Sequence, residues 1–279
     1  MYSLHTILAA TDLSRRSAAV LPRAARLAQA HGARLIIAHA IEPRVQAVKR
    51  FRLAVTKTPL PKAEAEIAKL RAEFPDIVIE AHIATEAPAD LVQRLATEHQ
   101  ADLIVLGLHL PRRVLETLRL TNLERIAQSV TCPVLIAQNR SAAPYRKVLG
   151  AITFGPASAR ALRVADRIAP EAELHAIHAL QLPFSKKLPN ADLMTSPEMT
   201  EAELLRKAFL DFETLPARLI TPEIIPGGVH EVLGFRIEEL KPDLVVIGSH
   251  SGRSRTKLGN YTRDLMRAPP TDMLIAKPA

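Results

Sequence analysis

Short apolar runs alternate with longer segments of mixed polarity along the whole chain, which indicates an α/β fold. In the first half, continuous runs rich in Ile, Leu and Val predict strands near residues 5–10, 34–41, 77–83, 102–107 and 133–137. Segments with helical spacing of Ala, Leu and Arg predict helices near 15–31, 60–73, 88–99 and 121–130. Because continuous apolar runs are typical of strands buried on both faces, and helices separate them, we expect a parallel sheet.

The second half of the chain repeats the first. HTILAATDLSRRSA lies against RKVLGAITFGPASA, LIIAHAI against LHAIHAL, ADLIVLGLH against PDLVVIGSH and PVLIAQ against DMLIAK, at offsets of 141, 139, 141 and 139 residues. Because the order and spacing of four apolar runs are kept, the sequence predicts two copies of one five-stranded domain. We expect these domains at 1–140 and 145–279, joined by the polar linker NRSAAPYRK.

Helix ends carry their own signals in both halves. Ser14 is a candidate N-cap and Gly32 a candidate stop for the first helix. Pro22 within it predicts a kink or the local loss of a hydrogen bond. In the second half, Gly155 and Pro156 are expected to open the matching helix, because proline at the first helical position loses no hydrogen bond.

Composition narrows the class of protein. Hydrophobic residues make up 48% and charged residues 24%, as in ordinary folded domains. No apolar stretch approaches the roughly 18 residues that span a bilayer, and the start of the chain lacks a cleavage-site pattern. The single cysteine, Cys132, allows neither an intrachain disulfide nor a cysteine zinc cluster, and we interpret it as a small buried residue. These features predict a cytoplasmic protein without a membrane segment.

The net charge of +8 and the pI near 9.9 raise the question of nucleic acid. Residues 1–140 carry 19 basic and 13 acidic side chains and residues 141–279 carry 18 and 16, so neither half is strongly basic. Aromatic residues are only 4% with no Trp, so stacking platforms for single strands are scarce. A small anionic ligand is therefore favoured over nucleic acid.

The expected strand order places candidate chemistry at one point of each sheet. In open α/β sheets, ligands bind at the carboxyl ends of strands where the order reverses, here between strands one and four if the order is 3-2-1-4. The residues that follow these strands are Thr11-Asp12 and Gly107-Leu108-His109 in the first half, and Thr153-Phe154 and Gly248-Ser249-His250 in the second. An aspartate there can bind a ribose, and a glycine lets backbone approach phosphates.

The motifs ILAATDLS, LIVLGLH, LVVIGSH and TCPVLIAQ, together with the duplication, resemble the universal stress protein family in its tandem two-domain form. The resemblance covers essentially the whole chain. It implies two open, five-stranded, Rossmann-like domains of the adenine nucleotide alpha hydrolase-like type. It also implies an adenine nucleotide such as ATP or AMP as ligand, and pairing of fifth strands (Val134–Ala137 and Met273–Ala276) across a domain interface. A tandem chain can satisfy that pairing internally and pair again as a homodimer.

Nucleotide-binding members of that family carry G-x-x-G-x9-G-S/T after strand four, an aspartate after strand one and a small residue on strand two. The resemblance assigns these roles in the first half to Thr11, Asp12, Ala40, Gly107, His109 and Thr121. Leu110 and Leu120 stand where the second and third glycines belong, which predicts a poorer phosphate loop.

The second half keeps the other part of the pattern. The roles there fall on Gly248, His250, Ser251, Gly259 and Asn260. Ser251 replaces the second glycine, the loop is two residues shorter than the pattern, and Thr153 replaces the aspartate, while Ala179 stands on strand two. Each half therefore retains a different end of the expected nucleotide site.

Each of these residues also has a purely structural interpretation. Thr121 and Glu124 match a capping box, Asn260 could cap the helix that it precedes, and Asp12 could cap the first helix unless Ser14 does. Two clusters of basic residues beside the expected crevices would meet an anion or only solvent: Arg112-Arg113 and Arg253, Arg255 and Lys257.

Catalytic and metal signatures are absent from the sequence. It has no GxSxG elbow, Walker A loop or GxGxxG fingerprint, and its ten histidines form no cluster of ligand spacing. His39 and His178 are expected to be hydrogen-bonded core histidines, and His175 and His178 to point to opposite faces of a strand.

Two hypotheses follow from these observations. The first is a non-enzymatic stress protein that weakly binds an adenine nucleotide in at least one domain and acts on an unidentified partner protein, with no metal ligand set. The alternative is a degenerate tandem protein that binds no nucleotide and acts as a dimerising scaffold.

Overall fold

The computed structural model describes residues 4–41, 60–108, 121–181, 196–249 and 258–278. Ten strands lie within these ranges: β1 (Thr6–Ala10), β2 (Arg34–Ala40), β3 (Ile79–Ala84), β4 (Leu103–Gly107), β5 (Val134–Ala137), β6 (Lys147–Ala151), β7 (Glu173–Leu180), β8 (Glu223–Pro226), β9 (Leu244–Gly248) and β10 (Asp272–Ala276). Eight helices accompany them there: α1 (Val20–His31), α2 (Leu60–Glu73), α3 (Pro88–Glu98), α4 (Asn122–Ser129), α5 (Pro156–Ile168), α6 (Pro197–Phe212), α7 (Val229–Leu240) and α8 (Asn260–Arg267).

The chain divides into two compact units. The first unit comprises most of the chain up to Ala143, and the second unit runs from Pro144 onward and also includes Pro133–Leu135. In the first half the strand order is β3-β2-β1-β4-β5, and β1 pairs in parallel with both β2 and β4. Because the chain moves outward from β1 to β3 and then returns to β4, the order reverses between β1 and β4, as predicted.

The second half has the same arrangement, β8-β7-β6-β9-β10, with β6 between β7 and β9. Its register repeats that of the first half: Ala10 is opposite Leu106 on β4, and Ala151 is opposite Ile247 on β9. Both members of the second pair lie 141 positions after their counterparts, an offset already visible in the sequence. The predicted fold class, two repeated parallel-sheet α/β layers, is confirmed.

Burial on both faces explains the continuous apolar runs. Leu8 of β1, Ile104 of β4 and Val246 of β9 are fully buried. Helix α1 turns Ala24, Ala25 and Ala28 toward the interior, where each is also fully buried. Burying one large aliphatic side chain stabilises a fold by about 1.5–3 kcal/mol, so each run contributes substantially to its own unit.

Uncommon backbone angles recur at matching positions. Leu13 and Phe154, which follow the first strand of each half, have φ of 55° and 54°. Gln100 and Lys241, which precede the fourth strand, have φ of 51° and 49°. Residues other than glycine rarely adopt this left-handed conformation, so its recurrence shows that the duplication extends to individual backbone angles.

A pair of aspartates fixes the start of the first strand in each half. Asp102 Oδ2 accepts hydrogen bonds from the amides of His5 (2.7 Å) and Thr6 (3.0 Å). Asp243 accepts from the matching amides with one oxygen each: Oδ2 from Arg146 (2.8 Å) and Oδ1 from Lys147 (3.1 Å). These aspartates belong to the sequence motifs ADL and PDL. The motifs predicted a strand after each aspartate but did not predict its hydrogen bonds.

Helix α1 begins later than the sequence predicted. Its N-cap is Ala19 rather than Ser14, and residues 14–19 form turns. Pro22 therefore lies in the first helical turn, where its missing N–H would have no helical partner. The prediction of a kink or a lost hydrogen bond inside the helix is wrong for that reason. Gly32 does end the helix, with φ of 61°, and Gly155 and Pro156 do open α5.

Candidate functional site

A chain of hydroxyl groups orients the aspartate after β1. Thr11 Oγ1 donates to Ser17 Oγ (2.9 Å), and Ser17 Oγ donates to Asp12 Oδ1 (2.6 Å). The Ser14 amide also donates to Asp12 Oδ1 (3.0 Å). Thr11 and Ser17 are buried while Asp12 is exposed. The Asp12 carboxylate is therefore held in one orientation by the turn, and it faces solvent where the strand order reverses.

Gly107, at the end of β4, lies directly against that turn. A Cβ at this position would lie 2.9 Å from both Cα and Cβ of Ser17 and 3.2 Å from Val20 Cγ2. Glycine is therefore required for packing the turn on β4, whether or not a phosphate also approaches it. The structure thus brings Asp12 and Gly107 to one edge of the sheet, as the sequence predicted.

The end of β2 is tied to the end of β1. His39 is buried, and its Nδ1 donates to the Thr11 carbonyl (2.9 Å). His178 Nδ1 donates to the Ile152 carbonyl at the same distance in the second half. Both histidines are hydrogen-bonded, as predicted, but only His39 lies in the core, since His178 is half-buried. Ala40 follows His39 at the end of β2, half-buried and opposite Ala84 of β3.

Thr121 forms the capping box that the sequence offered as its structural interpretation. Its Oγ1 accepts from the Glu124 amide (3.1 Å), and Glu124 Oε2 accepts from the Thr121 amide (2.7 Å). Glu124 is fully buried, so an acidic side chain occupies the first turn of α4. Since an anion gains stabilisation from free amides at a helix N-terminus, this carboxylate already supplies a negative charge at the start of α4.

The turn after β6 in the second unit uses its serine differently. The Thr153 amide donates to Ser158 Oγ (3.1 Å), and the two side-chain oxygens lie 3.4 Å apart. A Cβ on Gly248, at the end of β9, would lie 3.0 Å from Ala157 Cβ and 3.1 Å from Ser158 N. The packing of glycine against the helix start is thus retained, although the carboxylate is replaced by a threonine.

The ends of the second-unit loop come together. The Ser249 amide donates to the Ala276 carbonyl (2.8 Å), and the Gly259 amide donates to the Ser249 carbonyl (2.9 Å). Gly259 is the N-cap of α8, and among the described residues no side chain caps this helix and its first turn has no acidic residue. Asn260 is therefore the first helical residue rather than the N-cap.

Tyr261, near the start of α8, has a shifted pKa. Tyr261 follows Asn260 on α8, and its ring meets the His230 ring edge-on at 4.7 Å between centroids. Burial raises the pKa of Tyr261, because the phenolate form would lose solvation. Its hydroxyl is buried and has no hydrogen-bond partner among the residues that the structure describes.

Several predicted site residues lie outside the described ranges. They are His109, Leu110, Leu120, His250, Ser251 and the basic residues Arg112, Arg113, Arg253, Arg255 and Lys257. The described ranges contain the remaining candidates, which are Thr11, Asp12, Ala40, Gly107 and Thr121 in the first unit and Gly248, Gly259 and Asn260 in the second. Cys132 is half-buried rather than buried.

The structure groups three residues that the sequence pattern did not connect. Glu80 and His82 lie two positions apart on β3 and so point to the same face, and His99 follows the last residue of α3. Their ligand atoms all lie within 4.8 Å of one another. The sequence predicted no metal ligand set, because His99 is far from the other two residues along the chain. The Glu-x-His pattern on a predicted strand was the available signal.

A cavity of about 600 Å³ opens at the amino-terminal edge of the first unit, away from Asp12. Its lining includes Thr6, Arg34, His99 and Asp102.

None of the helices in the described ranges combines the length and the apolar character that crossing a membrane requires.

Comparison with known proteins gives a consistent family assignment. The model of the universal stress protein family matches residues 3–138 and again residues 144–277. A universal stress protein from Archaeoglobus fulgidus DSM 4304 is 19% identical, with a TM-score of 0.68 over 100% of this chain and 98% of that chain. A universal stress protein from Pseudomonas aeruginosa UCBPP-PA14 is 18% identical, with a TM-score of 0.67 over 99% and 94%.

A universal stress protein solved in complex with cAMP is 26% identical and covers 49% of this chain and 98% of its own, with a TM-score of 0.40. The search of curated proteins gave no match.

Proposed function

The chain belongs to the universal stress protein family in its tandem form, and from that premise we propose that it binds an adenine nucleotide of the ATP or AMP class in at least one unit. Binding would be weak, and its role is to regulate a partner protein under stress rather than to catalyse a reaction. The observation that carries the proposal is the oriented, exposed Asp12 carboxylate at the point where the strand order reverses.

In the first unit, the proposed contact is with the ribose. A carboxylate at this point accepts hydrogen bonds from ribose hydroxyls. The hydrogen bonds from Ser17 and Ser14 fix the Asp12 side chain before a ligand arrives, so less conformational entropy is lost on binding. The buried Glu124 carboxylate in the first turn of α4 disfavours phosphates here, so we expect a nucleoside monophosphate to bind better than ATP.

In the second unit, the proposed contact is with the phosphates. The α8 N-terminus carries no capping side chain among the described residues and no acidic residue in its first turn. Gly248 and Gly259 lie at the two ends of a loop that the Ser249 carbonyl closes. Thr153 replaces the aspartate, so a ribose would gain less in this unit.

Calorimetric titration of the full chain with ATP, ADP and AMP tests the proposal. Asp12→Asn should weaken binding if the first unit holds the ligand, because it removes the charge while keeping an acceptor for Ser17. Asn260→Glu should weaken binding if the second unit holds it, because a first-turn carboxylate suits the helix but repels phosphate. Asp90→Asn, the same change at an exposed aspartate in the first turn of α3, serves as the control.

The outcomes separate the two units from each other and from no binding at all. Heat from at least one nucleotide, reduced by one of the two site variants and unchanged in Asp90→Asn, supports the proposal. No heat with any of the three nucleotides, from a sample with a normal circular dichroism spectrum, overturns it.

A second function is favoured by the capping box and by the packing role of the glycines. Gly107, Gly248 and Thr121 each have a complete structural explanation, which is what a degenerate, non-binding scaffold would retain. We propose for that case a cytoplasmic homodimer that holds a partner protein. Sedimentation at micromolar concentration tests this alternative, and a monomer of 30.6 kDa at every concentration would exclude it.

A further inference from the structure

The group formed by Glu80, His82 and His99 lies at an edge of the first unit. Strand β3, which carries Glu80 and His82, is the outer strand in the order β3-β2-β1-β4-β5. His82 Nε2 and Glu80 Oε1 are 2.9 Å apart, and the rings of His82 and His99 meet edge-on at 5.1 Å between centroids. Glu80 is exposed and the two histidines are half-buried, so the group is reachable from solvent.

Backbone anchors hold the group in place. Arg34 Nη2 donates to the His99 carbonyl (2.8 Å), and Arg34 Nε donates to Thr6 Oγ1 (2.8 Å). Arg71 Nη2 donates to the Ile79 carbonyl (3.0 Å), next to Glu80. These bonds fix the backbone on both sides of the group, and the two guanidinium charges lower the affinity that a cation can reach.

The donor set matches a particular class of metal ion. Two imidazoles and one carboxylate suit zinc and neighbouring late transition metals, whereas magnesium and calcium favour oxygen ligands alone. Tetrahedral zinc with bonds of about 2.0–2.1 Å needs ligand atoms roughly 3.3 Å apart. Atoms that already lie within 4.8 Å of one another reach that geometry by small side-chain rotations.

We propose that Glu80, His82 and His99 form a zinc-class metal site with a fourth position open to water. The site links β3 to the end of α3 and is separate from the nucleotide site proposed at Asp12. It takes a divalent late transition metal and needs no nucleotide to do so.

The second unit provides a matched control. His175 Nε2 lies 3.3 Å from Glu173 Oε2 on β7, again two positions apart on a strand. Among the described residues, no third histidine, cysteine or carboxylate completes that pair into a ligand group. A pair of this kind should bind metal far more weakly than the three-residue group.

Titration of the full chain with zinc chloride in a calorimeter, without nucleotide, tests the proposal. We expect the unmodified chain to bind one zinc at this site, and His82→Ala and His99→Ala each to weaken it at least about tenfold. His175→Ala should leave the affinity unchanged. Cobalt(II) bound in the same place should show the visible absorption of a four-coordinate site, and His82→Ala should abolish it.

Folding is checked separately so that every outcome is decisive. Circular dichroism is recorded for each variant, and His82→Gln replaces His82→Ala if the alanine variant does not fold. Loss of binding in the His82 and His99 variants alone supports the site. The site is overturned if the unmodified chain binds no zinc, if the His82 and His99 variants bind as well as it does, or if His175→Ala loses as much affinity.

Discussion

The two units have the same backbone arrangement but differ in the polar side chains at the sheet edge where a ligand would bind. Both have the same strand order, the same left-handed residue after the first strand and a glycine pressed against the following helix or turn. The first unit keeps Asp12 and has a buried glutamate in the first turn of α4. In the second unit, Thr153 replaces the aspartate, and no side chain of the described residues caps α8.

The serine in each turn shows how a single replacement changes a local network. Ser17 donates its hydroxyl hydrogen to Asp12, but Ser158 accepts from the Thr153 amide. Where Thr153 replaces the carboxylate that would accept a hydrogen bond, the serine hydroxyl instead accepts one from the backbone. The two units are therefore more alike in the packing of their folds than in the polar groups that could hold a ligand.

The first prediction breaks the equivalence of the two glycines. Gly107→Ala should destabilise the chain by about 3 kcal/mol, because its Cβ would meet backbone and side chain of Ser17 at 2.9 Å. Gly248→Ala should cost about 1 kcal/mol, because its contacts begin at 3.0 Å with Ala157 Cβ. Urea unfolding measures both. Gly234→Ala is the control without steric overlap, because a Cβ there meets nothing within 4 Å. Since Gly234 lies inside α7, this control should stabilise the chain by about 0.5–1 kcal/mol.

Equal losses at Gly107 and Gly248 would contradict this ranking. If Gly107→Ala were as well tolerated as Gly234→Ala, the turn after β1 would yield easily and the packing role of Gly107 would be refuted.

The second prediction concerns the matching left-handed residues. Phe154→Gly relieves the strain of φ 54° but removes a ring packed at 4.6 Å from His178 and 5.7 Å from Phe209, measured between centroids. We expect a net destabilisation of about 2 kcal/mol. Leu13→Gly relieves φ of 55° and removes a half-buried aliphatic side chain rather than a ring in ring–ring contact, so it should change stability by less than about 1 kcal/mol.

Guanidinium unfolding of the two variants side by side decides this prediction. If Leu13→Gly proved the more damaging change, the Leu13 side chain rather than its backbone conformation would be the feature that the fold depends on.

The third prediction tests the cap that distinguishes α4 from α8. Thr121→Ala removes the acceptor of the Glu124 amide and should destabilise the chain by about 1 kcal/mol, while Thr121→Ser should be close to neutral. Hydrogen exchange at the Glu124 amide should quicken in Thr121→Ala only. Unchanged exchange would mean that the Thr121 hydroxyl does not cap this helix.

Fold and site differed in how far the sequence could predict them. Strands and the duplication were predictable, because buried parallel strands require continuous apolar runs such as LIVLG and LVVIG. The start of α1 was not, because Asp12, Ser14 and Ser17 all favour turns and their mutual hydrogen bonds compete with a helix. The grouping of His99 with β3 depends on tertiary packing, which no local pattern records.

The last prediction concerns a tyrosine whose matching position in the first unit holds a leucine. Tyr261 is the second residue of α8, where α4 has the buried Leu123. Because its buried hydroxyl has no partner in the described part of the chain, Tyr261→Phe should be neutral or stabilising by up to about 1 kcal/mol at neutral pH. A clear loss of stability would show instead that the hydroxyl makes a hydrogen bond.

The same variant carries a signature in its pH dependence. Burial raises the pKa of Tyr261 above that of an unfolded tyrosine, which is about 10, so the folded chain keeps this proton when the unfolded chain releases it. The stability that this proton contributes is complete below about pH 10 and is lost as the pH rises toward the folded pKa.

Urea unfolding between neutral and strongly alkaline pH should therefore show a decline in stability that is shallower in Tyr261→Phe than in the unmodified chain. Absorbance at about 295 nm should show one tyrosine fewer ionising late. Identical pH profiles for the unmodified chain and Tyr261→Phe would mean that the Tyr261 hydroxyl is solvated. The start of α8 would then be exposed, unlike the start of α4, where Leu123 is buried.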